Sequence, residues 1–356
     1  MAGIKDVARR AGVSVGTASN VLNRPHLVRP ETRARVEAAI AELGFVLNQP
    51  ARQLRSGSST TIAYVLLDAR NPFFTDVARG IEEVASTENL TLFLCNSDLD
   101  RRREAQYLDQ LLMQRVRGVL ITAVDYANER LRALPANGVP VVLVDRVYDP
   151  TVEATGDGWC SVGVHDVEGG HVAVTHLVER GHQLIAYAGG PMSTPQVADR
   201  LAAARRAMEE AGLDDDQLTM LLTNALTVDE GRRVSQRILG LPARRRPTAV
   251  FCANDLLALG VLQHMTQNGV AVPEAMSIVG YDDIEYAAAA AVALTSVHQP
   301  RHEIGRTAAQ LLLEEAAGHE GHQHRHVEFS PELVVRASTT APRGTSPVGR
   351  RRRGEL

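Results

Sequence analysis

The sequence predicts a small all-α helix-turn-helix head joined to an α/β body of two doubly wound lobes. Basic residues gather at the start of the chain, and two short amphipathic patterns there flank a three-residue turn. From residue 61 onward β-rich runs alternate with helical ones. With 356 residues, 44% of them hydrophobic and 22% charged, the chain has enough apolar material for two or three compact units. No apolar run approaches the roughly 18 residues that span a bilayer. The opening MAGIKDVARR carries no hydrophobic stretch of the signal-peptide kind, so a cytoplasmic protein without membrane contact is expected.

The head comes first in the chain. Ile4, Val7, Ala8 and Ala11 recur at the spacing of one helix face, and Gly12 stops that helix. Ser14 offers a capping hydroxyl for a second helix over residues 15–22. Ala18, Val21 and Leu22 would face inward, leaving Val15, Gly16, Ser19 and Asn20 on the outer face, where a helix-turn-helix meets the major groove. An ordinary helical hairpin has the same spacing. Charge favours the DNA reading. Residues 1–55 hold nine basic and four acidic side chains, whereas the other 301 residues hold 29 and 38, so a basic head sits on an acidic body. A third helix is expected over residues 30–43, with Pro30 in its first turn, Val36, Ala39, Ile40 and Leu43 as its apolar stripe, and Gly44 at its end. Residues 48–60, NQPARQLRSGSST, are polar and basic with one large apolar side chain, Leu54, and read as a linker.

In the body, strands are expected at TIAYVLLD, TLFLC, GVLIT and VPVVLVD, with helices near residues 73–87 and 102–115. A second set follows: helices near 167–180, 200–211, 228–239 and 256–267 interleave with LIAYAGG, TMLLT, TAVFCAND and SIVGYDD. LTSVHQ, a helix over 301–317, HVEFS and LVVRAST are too few for a third lobe and return to complete the first two. The expected division is a head over 1–47, a hinge and linker over 48–60, and a body over 61–340. Lobe one takes about 61–160 and 294–320, lobe two about 161–293 and 321–340. Residues 341–356, with four consecutive arginines, are expected to be a disordered basic tail. Ligands of such sheets bind beyond the carboxyl ends of the strands, so a small-molecule cleft between the lobes is expected.

Enzymatic readings find little support. Neither G-x-G-x-x-G after a strand nor G-x-x-x-x-G-K-[ST] occurs, and Lys5 is the only lysine, which removes a phosphate-binding or Schiff-base lysine from the body. Cys95, Cys160 and Cys252 are far apart without C-x-x-C, and read as small buried hydrophobes rather than a disulfide or metal framework. His319, His322, His324 and His326 lie in a polar tract between a helix and a strand, which reads as a solvated loop, with adventitious metal binding as the alternative. No metal or cofactor is expected.

The string IKDVARRAGVSVGTASNVLNRPHLVRPETRARVEAAIAELGF resembles the DNA-binding head of the LacI family of bacterial repressors. The resemblance continues through NPFF, LVDR, Gly169–Gly170, ERGH, DRLAAA, CANDLLALG, SIVGYDD, LTSVHQP and ELVVRAST, about residues 3 to 340. It implies a body like periplasmic sugar-binding proteins, in which a small ligand between the lobes changes how two subunits present their heads. It also implies DNA contacts from Ser14, Val15, Gly16, Thr17, Ser19 and Asn20, and from Asn48, Ala51, Leu54 and Arg55 of a hinge that becomes helical on the operator. Leu54 would be the minor-groove wedge. Departures are Asn20 where arginine is usual, Val15 and Gly16 where a polar pair is usual, and Leu47 and Pro50 in the hinge, the last placing its helix at about residues 50–55. Asn can read adenine and Val a thymine methyl, so base preference should differ.

For the body the resemblance implies effector contacts from Phe73, Phe74, Arg146, Arg200, Asn254 and Asp282. His165 stands where an acid is usual, and Leu226 where some members keep an aromatic. Read from the residues, Asp255 would cap the following helix and Asp283 would sit in a turn. The expectation is a ligand-responsive repressor that binds a near-palindromic double-stranded operator as a homodimer, with a sugar as leading effector. A nucleoside- or organic-acid-sensing regulator, or a cytoplasmic small-molecule-binding protein, is the alternative. No leucine heptad of the kind that joins dimers into tetramers is present.

Overall fold

The computed structural model describes residues 2–45, 59–146, 158–318 and 322–342. The expected hinge contacts Asn48, Ala51, Leu54 and Arg55, and the basic tail from residue 343, lie outside the described residues. The chain divides into two compact units, with the break between Ser59 and Thr60.

The head is three helices, α1 (Ile4–Ala11), α2 (Val15–Asn23) and α3 (Pro30–Leu43). Gly12 takes the left-handed conformation (φ 65°) that ends α1, a geometry costly for residues with a Cβ. Ser14 then caps α2, its Oγ accepting the Thr17 N–H at 3.0 Å. Val7, Ala8, Ala11, Ala18, Val21, Val36 and Ala39 form the core, with Ile4, Val13, Ile40 and Leu43 packed around it. Small residues at the centre let three short helices approach closely.

The body holds two six-stranded sheets. The first contains β1 (Thr61–Leu66), β2 (Thr91–Asn96), β3 (Gly118–Ile121), β4 (Val141–Val144), β5 (Cys160–Val164) and β11 (His326–Phe329), in the spatial order β11-β5-β4-β3-β1-β2. The second contains β6 (Ile185–Gly189), β7 (Leu218–Leu222), β8 (Ala249–Cys252), β9 (Ser277–Asp282), β10 (Thr295–His298) and β12 (Glu332–Val334), in the order β12-β10-β9-β8-β6-β7. Both orders reduce to the 2-1-3-4-5 doubly wound pattern. All pairings are parallel except β10 with β12. Lobe one is flanked by α4 (Pro72–Thr87), α5 (Arg101–Gln114), α6 (Glu129–Ala136) and α12 (Arg301–Ala316). Lobe two carries α7 (Asp166–Glu179), α8 (Pro195–Glu210), α9 (Val228–Gly240), α10 (Asp255–Gln267) and the short α11 (Glu285–Ala289).

The lobe boundaries differ from those expected. The strands β5 and β11 belong to the first sheet and β10 to the second, so the chain crosses between lobes after β5, after β10 and after β11. Hydrogen-bond pairing decides this, and a strand's partner cannot be read from its own composition. CSVGV, interrupted by Gly163, and ERLRALPA, with Pro135 inside its last turn, form β5 and α6 that the sequence pattern did not single out.

Three helix pairs pack backbone to backbone through glycine. A Cβ on Gly80 of α4 would strike the His302 carbonyl of α12, and one on Gly305 would strike the Val77 carbonyl. Likewise Gly231 of α9 abuts the Leu257 carbonyl of α10, and Gly170 of α7 lies against the Arg200 backbone of α8. Gly231→Ala should therefore lower body stability by about 1–3 kcal/mol through overpacking. Urea unfolding should show a lower midpoint with an unchanged slope.

Candidate ligand cleft and DNA-reading face

The carboxyl ends of the strands in both sheets face one cleft. Lobe one contributes Leu67, Asp68 and Asn71 beyond β1, Phe73 and Phe74 in the first turn of α4, and Asp145 beyond β4. Lobe two contributes Thr194, Gln196 and Arg200 at and within α8, Leu226 before α9, Asn254 beyond β8, and Asp282 at the end of β9. The enclosed free volume is only about 50 Å³, well below the roughly 300 Å³ at which ligand pockets begin. The lobes are closed on one another by direct hydrogen bonds. Asn71 Nδ2 donates across the cleft to Asp282 Oδ2 at 3.0 Å. Gln196 Nε2 donates in the other direction, to the Asp145 carbonyl at 2.6 Å and to Asp145 Oδ2 at 3.3 Å. Gln299, on the crossover before α12, donates to Asp282 Oδ1 at 2.9 Å.

A buried guanidinium organises the lobe-two wall. Arg200 Nε and Nη2 both lie 2.7 Å from Asp166 Oδ1, and Nη1 donates to the Ala253 carbonyl at 2.7 Å. Its central carbon sits 3.5 Å over the Tyr281 ring, a cation–π contact in a dry setting. Burial disfavours this charge, but Asp166, Tyr281, Asp282 and Asp145 more than offset that, so Arg200 is held more firmly protonated than usual. The carboxylates are less well served. Burial pushes Asp145 well above the usual carboxylate range, and the charges of Asp166 and Asp282 push it further, against the pull of Arg200. Burial also raises Asp282, although Arg200, Asn71 and Gln299 hold it back. Both residues have positive φ, 58° at Asp145 and 99° at Asp282, a backbone strain that concentrates at functional sites.

Of the sequence-expected effector residues, Phe73, Phe74, Arg200, Leu226, Asn254 and Asp282 line the cleft. The two phenylalanine rings meet edge to face, centroids 5.1 Å apart at 86°. Arg146 and His165 do not line it. Arg146 lies over the Tyr126 ring and 3.7 Å from Asp199. His165 is exposed and caps α7, its Nδ1 accepting the Glu168 N–H at 3.2 Å. The acid expected at His165 is displaced by one residue to Asp166, the partner of Arg200. The cap of α10 is Asn254, whose Oδ1 accepts the Leu257 N–H at 3.0 Å, and not Asp255. Asp255 is wholly buried, accepting from Ser296 Oγ at 2.7 Å and the Ile284 N–H at 2.9 Å. Asp283 is more than a turn residue, since Arg336 and His298 reach it at 2.7 and 3.1 Å.

Asn71, Asp145, Asp166 and Gln196 escaped the sequence reading as site residues. Asp145 had a signal: it directly follows the apolar run VVLV, where a parallel strand delivers a side chain to the ligand, whereas Arg146 is one residue beyond. Gln196, in the first turn of α8, had none.

On the head, the outward surface of α2 presents Val15, Gly16 and Asn20 to solvent. Asn20 makes no side-chain hydrogen bond among the described residues. Ser14 and Thr17 are bonded to each other at 2.9 Å, and Asn23 donates to the Ser19 carbonyl and hydroxyl, so these are partly committed to holding the helix. Arg9, Arg10 and Arg33 pair with Asp6, Glu42 and Glu37. The exposed Lys5, Arg24, Arg29 and Arg35 form no ion pair among the described residues.

A helix-turn-helix head with a two-lobed small-molecule body defines a class: ligand-responsive DNA-binding regulators. Residues 3–48 match the model of bacterial regulatory proteins of the lacI family, and residues 174–339 that of the periplasmic binding protein-like domain. The chain is 34% identical over 342 residues to the HTH-type transcriptional repressor PurR of Aliivibrio fischeri, covering 96% of this chain and 99% of that one. Among solved structures it resembles the lac repressor dimer bound to operator and the anti-inducer ONPF (TM-score 0.77, 27% identity, 96% and 99% coverage). It also resembles the regulator CelR in complex with cellobiose (TM-score 0.67, 29% identity, 95% and 100% coverage). The chain belongs to the LacI family, and is a ligand-responsive, non-enzymatic transcriptional repressor. Among the described residues no helix is long and apolar enough to cross a membrane.

A carboxyl group raised on folding costs stability once the unfolded chain, titrating near the ordinary value of about 3.9, has ionised while the folded one has not. The cost of Asp145 is thus absent below that value and grows as pH rises toward its folded-state value. Asp145→Asn should gain stability relative to the parent as pH rises above about 4 and converge with it below about pH 4, read as the difference in urea midpoints.

Proposed function

We propose that the repressor works in the cytoplasm as a homodimer on a near-palindromic operator, and that its effector is a neutral sugar. The charge of the cleft carries the effector reading. Three acids, Asp68, Asp145 and Asp282, face the cavity, while the only lining cation among the described residues, Arg200, already has its donors on Asp166 and Ala253. Such a wall leaves an anionic organic acid no free cation to pair with and offers carboxyl and amide groups to hydroxyls, and Phe73 and Phe74 supply an apolar face for a sugar ring. Sugar hydroxyls would replace the Asn71–Asp282 and Gln196–Asp145 bonds, and so favour one spacing of the lobes over another. The cellobiose complex of CelR, similar in fold, supports the class.

For DNA, Asn20 and Val15 would read base edges from α2, with Gly16 allowing close approach. Ser14, Thr17 and Ser19 would fix the helix against the backbone, and Lys5, Arg24, Arg29 and Arg35 would neutralise phosphates. Asn48, Ala51, Leu54 and Arg55 would serve the hinge, with Leu54 wedged in the minor groove. Dimerisation is supported by apolar surface on the outer strand of lobe one: Phe93 and Leu94 of β2 are exposed, beside a groove formed with Ala78 and Glu82 of α4.

Asn20→Ala should weaken binding to the selected operator by about 1–3 kcal/mol and leave nonspecific, salt-sensitive binding nearly intact, as measured by fluorescence anisotropy at two salt concentrations. Equal loss on both DNAs would remove Asn20 from base reading. A thermal-shift screen of neutral sugars, sugar acids and nucleosides should show stabilisation by a neutral sugar and none by the acids. Asp282→Ala should abolish that shift while operator binding without ligand persists, and a shift confined to acids or nucleosides would overturn the sugar assignment.

A further inference from the structure

At the opposite end of lobe one from the cleft, three elements bring metal-ligating side chains together. Cys160 opens β5, Glu315 lies in the last turn of α12, and His322 and His324 precede β11. Cys160 Sγ is 3.3 Å from His322 Nε2 and 4.0 Å from His324 Nδ1, and His322 Nε2 is 4.0 Å from Glu315 Oε2. One ligand atom from each of the four lies within 4.8 Å of all the others. A tetrahedral zinc ion, about 2.3 Å from sulfur and about 2.0 Å from imidazole nitrogen, sets such atoms roughly 3.5 Å apart. The group is therefore already near coordination spacing.

Three further features separate it from a solvated histidine tract. Glu315 Oε2 is buried and makes no hydrogen bond among the described residues, a state that a cation would relieve. The Arg325 backbone N–H points to Cys160 Sγ at 3.4 Å, the kind of outer hydrogen bond that steadies a metal-bound thiolate. A Cβ at residue 158 would collide with the His324 ring, so Gly158 leaves the space in which that ring turns toward the thiol. His326 stands apart, bonded to Ser161 Oγ at 2.9 Å.

We propose that Cys160, Glu315, His322 and His324 form a zinc site that ties the end of α12 to the starts of β5 and β11. The expectation that the cysteines serve only as buried hydrophobes does not extend to Cys160. A thiolate with two imidazoles and a carboxylate suits zinc or cobalt(II), whereas magnesium and calcium prefer all-oxygen sites. On binding, the thiol and any protonated ligand release their protons to solvent as the metal–ligand bonds form. The site lies some four residues of strand, roughly 13 Å, from the cleft end of β5, and none of its members lines the cleft.

Full-length protein, stripped by a chelator and freed of it, is titrated with cobalt(II) and then zinc(II). One equivalent of cobalt should bind, with a sulfur-to-metal charge-transfer band that zinc abolishes, and zinc should raise the melting temperature. Cys160→Ser should remove the band, and His324→Gln, in an exposed position that folding tolerates, should weaken zinc at least about tenfold. Cys95→Ser, in β2, should change neither. Absence of stoichiometric binding, a charge-transfer band that survives Cys160→Ser, or unaltered zinc affinity in His324→Gln would each overturn the assignment. Should Cys160→Ser fail to fold by circular dichroism, the His324→Gln titration decides.

Discussion

The body depends on one buried positive charge. Arg200 lies between three carboxylates, Asp166, Asp145 and Asp282, but its short hydrogen bonds go to Asp166 and to a backbone carbonyl. The other two acids feel its field without its hydrogen bonds, and amides from across or beside the cleft satisfy them instead: Gln196 for Asp145, Asn71 and Gln299 for Asp282. Among the residues that line the cleft the lobes are thus joined by neutral donors on carboxylates, and the Arg146–Asp199 pair, 3.7 Å apart, joins them away from that lining. A direct ion pair across the cleft would be costly to separate in a dry setting, whereas an amide–carboxylate bond can be exchanged for a hydroxyl–carboxylate bond at small net cost.

That exchange matters only if each lobe moves as a body. The helix pairs packed through Gly80 and Gly305, Gly170, and Gly231 and Gly260 leave no room for side chains to repack, so each lobe is stiff. The chain passes between the lobes at three crossovers, after β5, β10 and β11, and a rigid-body motion of one lobe against the other has to be absorbed there. Gln299 and Arg301 lie at the second of these, and Arg301 reaches both Asp76 of lobe one at 3.0 Å and the carbonyls of Asp282 and Asp283 of lobe two. A change at Asp282 is therefore felt directly at a crossover.

Much of this was legible in the sequence, because the dominant signals are local. Helical periodicity around Val7 and Val36, the stop at Gly12 and the Ser14 cap belong to contiguous residues, and the head follows from them. Strand–helix alternation likewise gives two doubly wound lobes. What failed depended on which strands pair with one another. β5 takes its lobe from the preceding β4, β10 takes its lobe from the preceding β9, and β11 takes its lobe from the remote β5. In the cleft, single-residue phase was the weak point: Asp145 rather than Arg146, and Asp166 rather than His165, carry the contacts, because a strand end turns alternate side chains to opposite sides. The gathering of Cys160 with His322 and His324 could not be read from spacing, since 162 residues separate the thiol from the first histidine.

The pairing of β5 with β11 also sets the order in which the protein can be completed during synthesis. Ser161 waits for His326, and Val164 for Phe329, so one side of β5 stays an open edge while all of lobe two is being made. Lobe two in turn needs β12, Glu332–Val334, to cover β10. Neither lobe can close its sheet until nearly the whole body has left the ribosome, although the head, complete by residue 45, can form long before. The nascent repressor therefore has a folded DNA-reading domain before it has a finished ligand-binding one, and its open sheet edges invite chaperone binding over that interval.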